Sequence, residues 1–219
     1  RGLGDVYKRQ EVSTHNPKTL YLSATRYKLN DYRPYLYKST NGGQDWECIN
    51  GDYPQNEISR VVREDPATPG LLFVGSETGI FISTNDGKNW QKLHGNFPIV
   101  PVYDMKIKRD DLVVGTHGRS FWILDDITPL RQFPSITSKK GKDNVGTSKL
   151  FPPKDTYRFT LNWSVNFFLG EGKNYSAAFG FPGTFYEAKT PEGEKYTRNL
   201  DIGENPPQGV IVNLSLIHI

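Results

Sequence analysis

Between Gly70 and Leu93 the chain reads GLLFVGSETGIFISTNDGKNWQKL, short aliphatic, β-branched and aromatic runs parted by Gly, Ser, Asn and Asp. Runs this short, bounded by turn formers, predict successive antiparallel strands rather than helices. The layout recurs in DMKIKRDDLVVGTHGRSFWILDD, Asp104 to Asp126, and placing Val74-Gly75 on Val114-Gly115 gives an offset of 40 residues. An earlier copy, KTLYLSATRYKLNDYRPYLYKSTNGGQDW from Lys18 to Trp46, carries a longer insert between its two central strands.

Within this pattern one octet is written twice, STNGGQDW from Ser39 and STNDGKNW from Ser83, 44 residues apart. Asn41-Gly42-Gly43 and Asn85-Asp86-Gly87 are hairpin-turn sequences: Asn bonds its own backbone two residues on, and Gly accepts positive φ without steric cost. Ser39 and Ser83 are placed to bond back into the turn, and Trp46 and Trp90 to pack between neighbouring sheets. Three units of about 40 to 44 residues with about four strands each predict β-propeller blades, drawn at 11 to 55, 56 to 97 and 98 to 133. Since a propeller closes with about four to eight blades, the rest of the ring is expected outside this stretch. The fold class is therefore all-β, a partial propeller followed by an incomplete β-rich region.

The two ends stand apart. LSLIHI, 214 to 219, can be encoded by DNA whose reverse complement translates as DVYKRQ, residues 5 to 10. Residues 1 to 10 and 214 to 219 therefore read as translated sequencing adapters flanking a metagenomic fragment, and are set aside from fold reasoning. The chain's formal charge of +3 falls to +1 once Arg1, Lys8, Arg9 and Asp5 are set aside, 24 basic against 23 acidic residues. No nucleic-acid partner is implied by that balance. No apolar run reaches the roughly 20 residues of a membrane span. The single Cys48 excludes an internal disulfide and, within the strand-like WECI, is expected as a small buried hydrophobe. No cofactor is indicated. A calcium loop at the octets is disfavoured because it needs several more oxygen ligands and a terminal Glu, so no metal is expected.

Hairpin parity locates the candidate chemistry. Successive turns of an up-and-down blade alternate between its two edges, so if the octets are third turns, the second turns lie on the opposite edge. Those second turns hold Arg26, Tyr27, Lys28, Tyr32 and Arg33, then Glu77, then His117 and Arg119. Innermost strands start at that edge too, which puts Arg60, Tyr103 and Asp104 near the mouth of the central channel. Arginines and tyrosines interleaved in this way suit stacking on sugar rings or gripping carboxylates. A solvated loop packed on the neighbouring blade, and an Arg119 tying down carbonyls, are the competing accounts. Asp104 is the best lone carboxylate and a weak catalytic candidate, since a glycosidase needs two. Asp125 and Asp126, adjacent on a strand, point to opposite faces and are read as capping the turn before Pro129.

The octets resemble the Asp-box, or bacterial neuraminidase repeat, S-x-D-x-G-x-x-W, with Asn41 and Asn85 in place of the acid. The structural set is then Ser39, Asn41, Gly43 and Trp46, with Ser83, Asn85, Gly87 and Trp90. From about 14 to 135 the chain resembles bacterial Asp-box propeller proteins loosely labelled glycosyl hydrolases, related in architecture to sortilin-type receptors and xyloglucanases. The resemblance implies a structural role for the box between third and fourth strands, and a secreted or periplasmic location. Neither the arginine triad with Tyr and Glu of sialidases nor the two aspartates of xyloglucanases maps onto these residues, so no catalytic role is carried over.

Beyond the blades, 11 to 134, a basic Gly/Ser-rich linker is expected at 135 to 149. Residues 150 to 213 read as β-rich. GENPPQGVIVNL resembles the entry to a truncated immunoglobulin-like domain, with Val210 to Val212 as an exposed edge strand. Two functions follow: a propeller that binds a glycan or polypeptide on its channel face, or a glycoside hydrolase whose carboxylates come from different blades, with Asp104 as the candidate in this stretch.

Overall fold

The structure, a computed structural model, describes residues 7–132, 148–155, 172–178, 181–199 and 210–216. Eleven strands build three consecutive sheets. β1 (Tyr7–Val12), β2 (Leu20–Arg26), β3 (Asp31–Ser39) and β4 (Glu47–Cys48) pair in sequence order. So do β5 (Ser59–Glu64), β6 (Leu72–Ser76), β7 (Ile80–Ser83) and β8 (Gln91–Lys92). The third sheet holds β9 (Val102–Lys108), β10 (Asp111–Thr116) and β11 (Phe121–Leu124). All neighbouring strands are antiparallel. The first strand of each sheet lies beside the first strand of the next, β1 by β5 and β5 by β9. That is how propeller blades meet around an axis, and the chain is an all-β partial propeller.

Alternate residues of each strand face the adjoining blade. Tyr21 and Leu36 of the first blade meet Val62, Leu72, Val74 and Phe81 of the second, while Val61, Phe73, Ile80 and Ile82 meet Val102, Met105, Leu112 and Val114 of the third. Blade two is thus buried on both faces. At Gly75 an added Cβ would stand 2.5 Å from Val102 Cγ1 and 2.8 Å from Val61 Cγ1, so a side chain there has no room.

The two octets are superposable turns on the same edge. Ser39 Oγ accepts the Gly43 N–H at 2.9 Å and donates to Asn41 Oδ1 at 2.9 Å, and Asn41 Oδ1 accepts the Asp45 N–H at 3.0 Å. Ser83, Gly87, Asn85 and Asn89 repeat the three bonds, in the same order, at 2.9, 3.0 and 2.9 Å. Gly43 and Gly87 adopt φ of 89° and 82°, the left-handed region the turn requires. Each octet touches the first hairpin of its own blade, Gly42 N–H to Lys18 carbonyl at 2.8 Å and Asp86 N–H to Gly70 carbonyl at 2.9 Å. First and third turns therefore share one edge and second turns hold the other. The tryptophans differ: Trp90 is buried and its Nε1 donates to the Ile49 carbonyl of the preceding blade at 2.9 Å. Trp46 has no such neighbour among the described residues, stays 36% exposed and bonds the Gly43 carbonyl of its own turn.

Four further expectations are corrected or refined. The third blade has three strands, not four, among the described residues: Leu124 stands where Ser39 and Ser83 stand, so no serine closes an octet. Asp126, at φ 60°, instead accepts the Thr128 N–H at 3.2 Å and starts α1 (Thr128–Gln132). Cys48 is exposed, on β4, a two-residue strand at the outer end of its sheet among the described residues. The first blade's ladder starts at Tyr7, within the segment set aside, since backbone pairing is indifferent to where a side chain comes from. Val210 to Val212 form no strand and are exposed; pairing begins at β16 (Leu214–Leu216), opposite β12 (Ser148–Leu150).

The chain divides into two compact units, 1–152 with 212–219, and 153–211. In the second, β13 (Gly172–Ala178), β14 (Phe181–Lys189) and β15 (Lys195–Asn199) form an antiparallel sheet. The expected linker at 135 to 149 lies almost wholly outside the described residues. No helix among the described residues is long and apolar enough to cross a membrane.

Candidate functional site: the second-hairpin edge

The long second hairpin of blade one folds on one carboxylate. β2 ends in a 3-10 turn, Tyr27–Leu29, closed by Asn30 at φ 56°. Asp31 then accepts Arg33 Nε at 3.0 Å, a second Arg33 nitrogen at 2.9 Å and the Tyr35 hydroxyl, with Arg26 at 3.3 Å. Bonds from Arg33 and Tyr35 hold the Asp31 carboxyl well below its usual range, and the same pair raises Arg33. Arg26 and Arg33, read from sequence as ligand grips, are turned inward on Asp31, which the spacing alone did not single out. Tyr32 is 53% exposed, and Lys28 is exposed too.

Blades two and three contribute through matched β-bulges. β5 carries one extra residue, Arg60, between Ser59 and Val61 where β6 steps only from Ser76 to Gly75. β9 carries Tyr103 in the same way between Val102 and Asp104. A bulge re-aims the side chain of the residue it inserts. Here the two extra residues meet: the Arg60 guanidinium lies 4.6 Å from the Tyr103 ring centroid and 5.4 Å from that of Tyr27. Glu77, from the second hairpin of blade two, forms an ion pair with Arg60 and fixes its direction. Tyr103 in turn stacks at 4.9 Å and 33° on His117, whose main-chain N–H donates to the Pro101 carbonyl.

The result is a column, Tyr27, Arg60, Tyr103, His117, running across three blades. Each of its two cation–π contacts is worth about 0.5–2 kcal/mol. Beside it Arg119 is exposed, with its main chain locked: its N–H bonds Thr116 Oγ1 at 3.2 Å and its carbonyl accepts Trp122 Nε1 at 3.0 Å.

Asp104 does not stand alone. It accepts Arg63 at 2.6 Å and its own neighbour's N–H, that of Met105, at 2.8 Å. Arg63 also pairs with Glu11 at 3.1 Å, so the three inner strands are joined by a Glu11–Arg63–Asp104 ladder. Burial raises the Glu11 carboxyl above its usual range, against the pull of Arg63. Sequence reading missed Glu11 and Arg63 because strand-to-strand neighbours across blades have no fixed spacing along the chain.

No protein-family model and no curated protein matches the chain. Among solved structures it is similar to an ancestral GH74 enzyme, at 14% identity and a TM-score of 0.36, over 87% of this chain. The match spans 35% of that enzyme's chain.

Among the described residues no cluster of three or more His, Cys, Asp or Glu is arranged to hold a metal ion. What the second-hairpin edge offers instead is a set of aromatic and cationic side chains: half-exposed Tyr103, Tyr32, and exposed His117 and Arg119. Tyrosine rings and guanidinium groups are side chains of the kinds that stack on rings and pair with anionic groups.

Proposed function

We propose that the chain is part of an Asp-box β-propeller that binds a glycan or polypeptide on the edge opposite the octets. The observation that supports this is the Tyr27–Arg60–Tyr103–His117 column, built from equivalent bulges of adjacent blades. Two consecutive blades place an extra residue at the same point, and the extra residues touch, which supports a preformed platform. Arg119, with its fixed backbone and exposed head, supplies an anion contact, and Tyr32 extends the stacking surface. A secreted or periplasmic location belongs to the same proposal, on family resemblance.

A glycoside hydrolase is the second reading, supported by the Glu11 carboxyl, raised by burial, on the far side of Arg63 from Asp104. One experiment separates the two. The chain is titrated with a panel of soluble glycans and unstructured peptides, and products are followed by chromatography. Binding predicts a ligand whose affinity falls about tenfold in Tyr103→Ala and in Arg119→Ala, with no product formed. Turnover that disappears in Asp104→Ala favours hydrolysis. Affinity unchanged by both substitutions at the rim removes the binding site from this edge.

A further inference from the structure

Charge in the three blades is sorted by edge. On the second-hairpin edge Arg26 and Arg33 share one acid, Asp31, while Arg60 is matched by Glu77. Lys92 donates to Thr78 Oγ1, and Glu57, the other acid there, accepts the Thr78 main-chain N–H at 3.0 Å. Arg119 is exposed, and its guanidinium has no hydrogen bond or ion pair among the described residues. Lys28 adds a further charge, so six basic side chains stand against three acids. The octet edge carries no such surplus. Asp65 and Asp110 share Arg131, and Asp86 is matched by Lys38. Asp45 and Asp52 accept from the Asn41 and Asn89 amides at 2.8 and 3.0 Å, with no ion pair among the described residues.

A surplus of one sign attracts the other over about a Debye length, roughly 8–10 Å in physiological salt. The cations of this edge also come beside rings. Tyr32 is exposed next to Arg33, Arg60 lies 5.4 Å from the Tyr27 ring centroid, and His117 is exposed two residues before Arg119. The turn carrying that last pair is closed by Thr116 Oγ1, which donates to the Ser120 carbonyl at 2.7 Å. Two residues span at most about 7 Å, so a ring laid on His117 is within reach of the Arg119 guanidinium.

We propose that the second-hairpin edge takes an acidic polysaccharide, a chain of uronic acid rings, with one carboxylate held by Arg119 while its ring covers His117. Each unit of such a polymer carries a ring face and a carboxylate, the two features this edge repeats from blade to blade. An acidic peptide offers the carboxylates without the rings, and a neutral glycan the rings without the charge. The inference rests on the binding function proposed for this edge and narrows it to one ligand class.

The full chain is titrated calorimetrically at low salt with an oligogalacturonate, with the same oligomer methyl-esterified on its carboxylates, and with an oligoglutamate peptide of equal charge. The acidic glycan binds about tenfold tighter than its ester, the gap shrinks to about twofold in Arg119→Gln, and added salt weakens only the acidic form. Lys88→Gln, an exposed position on the octet edge, leaves the gap as it is. Ester bound as tightly as acid, with both weakened by Tyr103→Ala, overturns the acidic ligand while leaving a binding platform in place. A gap that survives Arg119→Gln, or shrinks as much in Lys88→Gln, overturns it too. Tighter binding of the peptide than of the acidic glycan overturns it in favour of a polypeptide. Binding of none of the three also overturns it, and the wider panel of glycans and peptides then decides whether the edge binds at all.

Discussion

Ser39 and Ser83 show how much one hydroxyl organises. Each takes a turn N–H and orients an Asn that takes a second, and Gly87, whose N–H Ser83 receives, is buried. Ser83→Ala leaves that buried N–H without a partner, at a cost of about 1–3 kcal/mol in urea unfolding. Ser39→Ala, in a more exposed turn, costs less. Asp31 organises its hairpin through charge. Its carboxyl is lowered, so the clamp is complete above the usual carboxylate range and is lost as pH falls through the lowered value. Exchange of the Arg33 amide, which donates to Asp31 at 3.3 Å, should therefore quicken only in strong acid, whereas in Asp31→Asn it is fast at neutral pH. The carboxylate was passed over in the sequence because nothing local distinguishes it from the other acids; the two arginines that close on it were visible.

At the scale of the strand and blade, the period was legible and the departures from it were not. Val74-Gly75 and Val114-Gly115 align as the repeat requires, yet their glycines differ in circumstance. Gly75 is enclosed by Val61 and Val102, whereas the nearest atom to a Cβ on Gly115 would be 3.6 Å away. Gly75→Ala is expected to destabilise by about 1–3 kcal/mol, and Gly115→Ala to stay within about 0.5 kcal/mol, in parallel denaturant titrations. A Gly115→Ala cost equal to that of Gly75→Ala would show a further sheet packed on blade three. The bulges at Arg60 and Tyr103 had no sequence signature, since an extra residue shows only against the strand it faces. The lack of a fourth strand in blade three among the described residues did have one, in Leu124 replacing the serine of the octets.

Across the whole molecule the blades are tied by ions as well as by apolar packing. Arg131 of α1 reaches back to Asp65 in the first hairpin of blade two with two bonds of 3.0 and 2.9 Å, and to Asp110 at 2.5 Å. The Asp65 side chain is wholly buried. Arg131→Ala strands that carboxylate and should cost about 3–5 kcal/mol, read as an earlier urea midpoint. Arg131→Lys, with one head in place of a fork, should recover only part. Loss of less than about 1 kcal/mol in the alanine variant would mean that α1 does not hold blade three to blade two.

The sequence by itself determined the central strands of the blades, the repeat, the two matching turns and, through hairpin parity, which edge carries the aromatic and basic residues. These follow from local rules: side-chain alternation, turn chemistry and the spacing of a repeat. The tertiary structure alone decided which of those residues meet. Arg60 between Tyr27 and Tyr103, Asp104 neutralised by Arg63, and Trp90 buried where Trp46 is not, all depend on what the neighbouring blade presents. Such contacts join residues 33 to 43 positions apart, and no local pattern encodes a distance across two sheets.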